Sequence, residues 1–245
     1  MIVGEKVRLD QALVARGLVN SRERAQAMVR AGLVMVDGAA AEKPDRLIDP
    51  GISLELRGSA AYVSRGGEKL SWALDDFRLS VGGRACLDVG ASTGGFSDVL
   101  LQRGAASVIA LDVGYGQLDW RLRQDPRVTV LERVNVRYLE ELPTAVDLAV
   151  IDVSFISLRL VLPAVRRLVA NPADVVALVK PQFEVGRGAV GKGGIVRDPE
   201  QHRAVLFALA DFARGSGYQV AGETGSPILG AKGNREFFLH LKTND

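Results

Sequence analysis

Apolar positions along the chain follow two rhythms, with a break near residue 60. From residue 7 to residue 30, "RLDQALVARGL" and "NSRERAQAMVRAG" repeat apolar side chains at helical spacing, which predicts two helices. Gly17 is placed to end the first, Asn20 or Ser21 to cap the second, and Gly32 to stop it. Two short strands follow, in "LVMVDG" and "ISLELRG", separated by a loop that holds Lys43, Pro44 and Pro50. Such a small α+β unit is marginal as an independent fold, because a short chain buries too little of its surface. The stretch "GSAAYVSRGGEK" is small and glycine-rich, as a linker should be. The expected division is 1–59 for the first domain, 60–66 for the linker and 67–245 for the second.

Beyond Gly67 the pattern changes. "EKLSWALDDF" has the spacing of an amphipathic helix, and then apolar runs alternate with helical segments: "RACLDVG", "SVIALDVG", "VTVLER", "VDLAVIDVSF", "DVVALVKPQF", "YQVAGETGSPI" and "REFFLHLK". The first five are short and almost continuously apolar, as strands buried on both faces of a parallel sheet are. The last two alternate more clearly and have no helix between them, which favours an antiparallel pair at one edge. Seven strands in this order are the layout of a class I methyltransferase. The expected fold class is therefore α/β: a Rossmann-like, mostly parallel seven-stranded sheet with an antiparallel edge strand, plus the small N-terminal α+β domain.

In a doubly wound sheet the ligand sits beyond the carboxyl ends of the strands, usually at the first strand-to-helix turn. "DVGASTGGF" occupies that place. Its glycines, Gly90, Gly94 and Gly95, do not fit the G-x-G-x-x-G turn of a dinucleotide site, and no Gly-Lys-Ser/Thr follows as a P-loop requires. An acid at the entry, Asp88, repels phosphate and favours a cation. S-adenosylmethionine carries an ammonium and a sulfonium, so this cofactor is expected on Asp88, Gly90, Ala91, Ser92, Thr93, Gly94, Gly95 and Phe96. Asp112, beside Val113 at the end of the second strand, is placed for ribose hydroxyls. Asn135, beyond the third, is placed for the adenine edge, and Asp152 lies at the end of the fourth.

Composition narrows the class without naming a function. The 245 residues are 47% hydrophobic and 24% charged, which excludes disorder and collagen-like repeats. A single cysteine, Cys86, forms no internal disulfide and sits in a strand pattern, so it is read as core. Apolar runs stop well short of the roughly 18 residues that span a bilayer. The N-terminus lacks the order of a secretory signal, so a cytoplasmic protein without membrane contact is expected. His202 and His240 show no ligand spacing and are read as structural, with no metal. The net charge of +2 argues nothing about nucleic acid by itself. Arg16, Arg22, Arg24 and Arg30 against the lone Glu23, however, place several guanidinium groups where one RNA backbone can meet them. The glycine-rich "EVGRGAVGKGGIVRDP" adds Arg187, Lys192 and Arg197 on a loop that can close over RNA.

Enzymes that methylate amino groups commonly carry Asn or Asp, Pro, Pro and an aromatic residue after the fourth strand. Here "IDVSF" stands there, and Lys180 ends the fifth strand in "LVKPQFE". A lysine at an apolar strand end is costly unless paired or deprotonated, and a neutral amine can orient a sugar hydroxyl or take its proton. Its expected neighbours are Asp152, Lys69 and Glu236. The order Lys69, Asp152, Lys180, Glu236 resembles the catalytic tetrad of the FtsJ-like ribose 2′-O-methyltransferases. "SRGGEKL", "DVGASTGGF", "LDVGYGQL", "IDVSFISL", "VKPQFEVGR", "GGIVRDP" and "KGNREFFLHL" resemble the TlyA family over essentially the whole chain. The resemblance implies an S-four-type RNA-binding domain at the N-terminus, with Arg8, Arg22, Arg24, Lys43 and Arg65 on the RNA. It also implies methyl transfer from adenosylmethionine to the 2′-hydroxyl of cytidine in ribosomal RNA or ribosomal subunits. Two other readings compete: a membrane-active cytolysin, since members of this family often carry the name hemolysin, and a noncatalytic ribosome-assembly protein. No spanning helix, signal or long glycine-free amphipathic segment supports the first.

Overall fold

A computed structural model describes residues 6–19, 21–30, 32–56, 62–186, 190–191 and 193–243. The chain divides into two compact units, Met1–Ala61 and Tyr62–Asp245. The first unit runs β1 (Val7–Arg8), α1 (Leu9–Ala15), α2 (Arg22–Arg30), β2 (Val34–Val36), β3 (Ala39–Ala40), β4 (Leu47–Ile48) and β5 (Leu54–Leu56). Both expected helices are there; Gly17 and Gly32 follow them with positive φ, as helix stops do. Asn20, one of the two caps expected for α2, lies outside the described residues. Strands β3, β2 and β5 form one antiparallel sheet, and β1 pairs with β4 in another. Asp37 and Gly38 both take positive φ between β2 and β3, the geometry of a tight hairpin turn. Leu9, Leu13, Val29 and Val34 are fully buried and form the unit's core.

The second unit opens with α3 (Arg65–Asp76), which begins two residues before the point where the sequence pattern changes. It continues through β6 (Ala85–Val89), α4 (Gly95–Gln102), β7 (Ser107–Asp112), α5 (Trp120–Gln124) and β8 (Val128–Glu132). Next come β9 (Leu148–Ile151), α6 (Leu162–Leu168), β10 (Asp174–Val179) and α7 (Pro181–Glu184). The last elements are α8 (Pro199–Gly215), β11 (Tyr218–Gly225) and β12 (Phe237–Thr243). The seven strands lie in the order β11-β12-β10-β9-β6-β7-β8. Neighbours from β10 to β8 pair in parallel, while β12 is antiparallel to both β10 and β11. The reversed strand is thus second from the edge, and the outermost strand β11 points the same way as the parallel set.

Strict alternation along the buried strands sorts their side chains into two layers. Leu87, Ile109, Ile151, Val175 and Leu239 face α6 and α8. Cys86, Val108, Val150, Val176 and Phe238 face α3 and α4. Fully buried leucines on α3 (Leu70, Leu74) and α4 (Leu100) close the second layer, each contributing about 1.5–3 kcal/mol by burial. Cys86 belongs to that core; burial pushes its thiol up to about 12, far from reactive. At the amino ends of the strands, Arg84 bonds Asp147 at 3.0 Å and Asp174 at 2.7 Å, and His240 meets the other Asp174 oxygen at 2.7 Å. Burial pushes the Asp174 carboxyl up, but His240 and Arg84 outweigh it and hold it at about 2. His202 is also buried, its ring bonded to the Val196 carbonyl at 2.9 Å.

Candidate active site at the carboxyl ends of the strands

From β6 the chain winds outward through β7 to β8, then returns to the other side of β6 as β9. That reversal opens a crevice between the ends of β6 and β9, where open α/β sheets bind ligands. The turn after β6 fits tightly into it. The Asp152 N–H donates to the Val89 carbonyl at 2.9 Å, and a Cβ on Gly90 would run into the Asp152 carbonyl. Gly90 also has φ +86°, so both space and backbone demand glycine there. The Gly90 and Ala91 N–H groups donate to the Leu111 carbonyl, tying the turn to β7. Asp112 braces the same turn: Oδ2 accepts from the Ser92 N–H at 2.8 Å and Oδ1 from the Gly114 N–H at 2.6 Å.

Asp88 lies beneath this turn, on the layer of the sheet that faces α4, and is fully buried. Its Oδ2 accepts from both the N–H and the hydroxyl of Ser97, at 2.9 and 2.7 Å, while Oδ1 is buried without a partner. Burial pushes its carboxyl up to about 7; Asp152 and Asp112 add to the rise and Ser97 opposes it.

A cleft of about 120 Å³ opens beside the turn. Of the expected cofactor residues, Gly90, Ala91, Ser92, Thr93, Gly95, Phe96 and Asp152 line it, together with Ser64, Gly66 and Lys69. Asp88, Gly94, Asp112, Val113 and Asn135 are not in its wall. Gly94 caps α4 with φ +96°, Val113 is exposed, and Asn135 Oδ1 accepts from the Arg137 N–H at 3.1 Å. A wider cleft of about 590 Å³ lies at the opposite edge, but Arg84 there is already matched by Asp147 and Asp174.

The four charged residues form two ion pairs. Lys180 Nζ lies 2.6 Å from Asp152 Oδ1, joining the ends of β10 and β9. Lys69 Nζ lies 2.6 Å from Glu236 Oε2, joining α3 to the residue that precedes β12. Glu236 has only 2% of its side chain exposed, and its carboxylate fills the space that a side chain at Gly230 would need. Pairing of this kind is what lets ammonium and carboxylate groups stay largely out of water.

Lys180 also reaches Ser154 Oγ at 2.8 Å, a contact that the sequence pattern did not single out. A lone serine in a loop carries no signal of its own. The same holds for Glu184, whose carboxylate accepts from Ser157 Oγ and the Leu158 N–H at 2.7 and 2.8 Å.

In the first unit, Arg8 and Arg22 converge on the buried Asp10, at 3.0 and 3.1 Å, and Gln26 joins them at 2.8 Å. Arg8 holds the Asp10 carboxyl well below the usual carboxylate range, against its burial, with Gln26 and Arg22 assisting. Lys43 is exposed, and the side chain of Arg24 lies outside the described residues. In the second unit Arg65 donates to the Leu229 carbonyl at 2.8 Å. Arg197 is exposed; Arg187 and Lys192 lie outside the described residues. Among the described residues no cluster of His, Cys, Asp and Glu has the arrangement of a metal site, and no helix is long and apolar enough to cross a membrane.

A mostly parallel seven-stranded sheet with its ligand turn at the reversal point is the architecture of a Rossmann-like methyltransferase. The family model described as FtsJ-like methyltransferase matches residues 62–243, and one described as S4 domain matches residues 7–51. The chain belongs to the FtsJ-like methyltransferase family. It is 50% identical over 245 residues to the 16S/23S rRNA (cytidine-2′-O)-methyltransferase TlyA of Mycobacterium tuberculosis, a match covering 98% of this chain and 91% of that protein. It is 40% identical over 241 residues to Hemolysin A of Brachyspira hyodysenteriae, covering 96% and 99% of the two chains. The solved structure of a hemolysin candidate from Streptococcus thermophilus superposes with a TM-score of 0.79 at 48% identity, covering 98% of this chain and 90% of that one.

Proposed function

We propose that this enzyme transfers a methyl group from S-adenosylmethionine to the 2′-hydroxyl of a cytidine in ribosomal RNA, in the cytoplasm. The observation that carries the reading is the Lys180–Asp152 pair, an amine anchored at the carboxyl edge of the sheet beside a glycine turn. The residues fit the cofactor on two counts: Asp88 Oδ1 is buried without a partner, and Gly90 keeps the turn clear of side chain. Carboxylates at Asp112 and Asp152 favour a positively charged ligand over a phosphate, and Asp88 joins them as pH rises through about 7. Gly90, Ser92, Thr93, Phe96 and Asp152 would hold it, with Asp88 and Asp112 behind the turn. Bound there, adenosylmethionine supplies a methyl carbon made electrophilic by its sulfonium, which leaves as a neutral thioether.

What this chain must add is alignment and a proton acceptor. The Lys180 ammonium first releases one proton to solvent; the amine that remains orients the 2′-hydroxyl and takes its proton as the oxygen–carbon bond forms. Asp152 holds the ammonium that results. Lys69 and Glu236 support the ribose and keep the local charge balanced. Arg8, Arg22 and Lys43 on the first unit meet RNA phosphates, which position the substrate without reading its sequence. The choice of cytidine and of ribosomal RNA follows the function of the relative from Mycobacterium tuberculosis.

The test uses labelled adenosylmethionine with unmethylated ribosomal subunits, the product being mapped to its nucleotide and atom. Label on a cytidine 2′-oxygen is expected, and Lys180→Ala is expected to lose transfer while still binding cofactor. Label on a base nitrogen or carbon, or unaltered turnover by Lys180→Ala, refutes the assignment. A relative bears the name Hemolysin A, so liposome leakage by the purified protein is the matching control; none is expected.

A further inference from the structure

We propose that Ser154 is a positioning residue for Lys180, an inference that rests on reading Lys180 as the group that readies the hydroxyl. Besides its bond to carbon, the Lys180 nitrogen has three tetrahedral positions. Ser154 Oγ at 2.8 Å takes one of them in a hydrogen bond, whereas Asp152 Oδ1, 2.6 Å away, pairs with the nitrogen by charge without the geometry of a hydrogen bond. Charge alone holds the amine near Asp152 but leaves it free to turn about its last carbon–carbon bond; the bond to Ser154 sets its direction. The two anchors also differ in chemistry. An ionised Asp152 only accepts hydrogen bonds, whereas the Ser154 hydroxyl both accepts and donates. Ser154 can therefore stay bonded to Lys180 as the ammonium and as the amine, before and after the proton moves.

The place of Ser154 is built by its surroundings. Phe155, the next residue, is exposed and has φ +64°, a left-handed conformation that bends the chain sharply there. Its ring packs on Phe183, with centroids 5.1 Å apart. Two residues further on, Glu184 accepts from the Ser157 hydroxyl and the Leu158 N–H. Lys180, Phe183 and Glu184 belong to the segment that ends β10 and forms α7, so the loop after β9 is clamped to it on both sides of Ser154. The sharp backbone turn at Phe155 carries the chain back to Glu184 and leaves the Ser154 hydroxyl at the Lys180 nitrogen.

The experiment compares Ser154→Ala, Ser154→Thr and Lys180→Ala in the full chain, each assayed on unmethylated ribosomal subunits with cofactor affinity and melting temperature measured alongside. Ser154→Ala is expected to lower kcat by roughly 10- to 100-fold, the effect of a misplaced reacting group, with KM for the subunits and cofactor affinity unchanged. Ser154→Thr, which keeps the hydroxyl, is expected to recover most of that loss. Wild-type kcat in Ser154→Ala overturns the proposal. So does a raised KM with kcat intact, or a loss that Ser154→Thr does not recover. An inactive Lys180→Ala beside a fully active Ser154→Ala sinks the Ser154 inference alone; a fully active Lys180→Ala sinks the reading beneath it.

Discussion

Replacing Asp88 by asparagine isolates the most perturbed carboxyl of the site. Asp88 is fully buried, and its carboxyl stands at about 7 against an ordinary 3.8, chiefly because burial disfavours the charged form. Between those two values the folded protein keeps a proton that the unfolded chain has released. This group's contribution to stability is therefore complete below pH 3.8 and is lost as pH rises through about 7. Each unit of pKa difference corresponds to about 1.4 kcal/mol, so the whole window amounts to about 4 kcal/mol. The asparagine side chain of Asp88→Asn cannot ionise, yet its amide oxygen can accept both Ser97 donors as Asp88 Oδ2 does. Urea unfolding followed by tryptophan fluorescence reports the second unit alone, since both tryptophans, Trp72 and Trp120, lie in it. From pH 5 to pH 7 the wild type should lose about 1.4 kcal/mol per pH unit relative to Asp88→Asn, and the difference should level off above that. A difference that stays constant across this range refutes the reasoning, since Asp88 would then be ionised in its buried place. A cationic ligand that reaches the free Oδ1 should in turn bind the wild type more tightly at pH 8 than at pH 6, a trend that Asp88→Asn should lack.

Gly90→Ala should weaken adenosylmethionine binding at least 10-fold by calorimetry while far-ultraviolet circular dichroism stays unchanged. The left-handed backbone alone costs about 1–3 kcal/mol for alanine, and the added carbon meets the Asp152 carbonyl. Arg22→Ala should weaken RNA binding across sequences and reduce the slope of log affinity against log salt by about 1, as removal of one phosphate contact does. An unchanged slope would remove Arg22 from the interface.

The parallel strands were legible because burial on both faces turns each into a short apolar run, as in "ACLDV" and "DVVALV". Strands β1, β3 and β4 were not, since two residues show no period; only Asp37-Gly38 marked the β2–β3 hairpin, and two alanines after it gave no strand propensity. The order of Lys69, Asp152, Lys180 and Glu236 is visible in sequence, but their division into two pairs depends on which strand ends meet across the sheet. Asp88 is legible as an acid at the ligand turn, but its place beneath that turn, on the face toward α4 where Ser97 meets one oxygen, is not. No local pattern marks that burial, because the deciding neighbour is set by helix packing.

The reversed strand β12 ties the closure of the sheet to the charge balance of the site. It threads between β10 and β11, and Glu236 stands at its entrance. The buried counter-charge of Lys69 is thus delivered by a strand held through pairing on both of its edges, so any change that loosens β12 from either neighbour also loosens the Lys69–Glu236 pair.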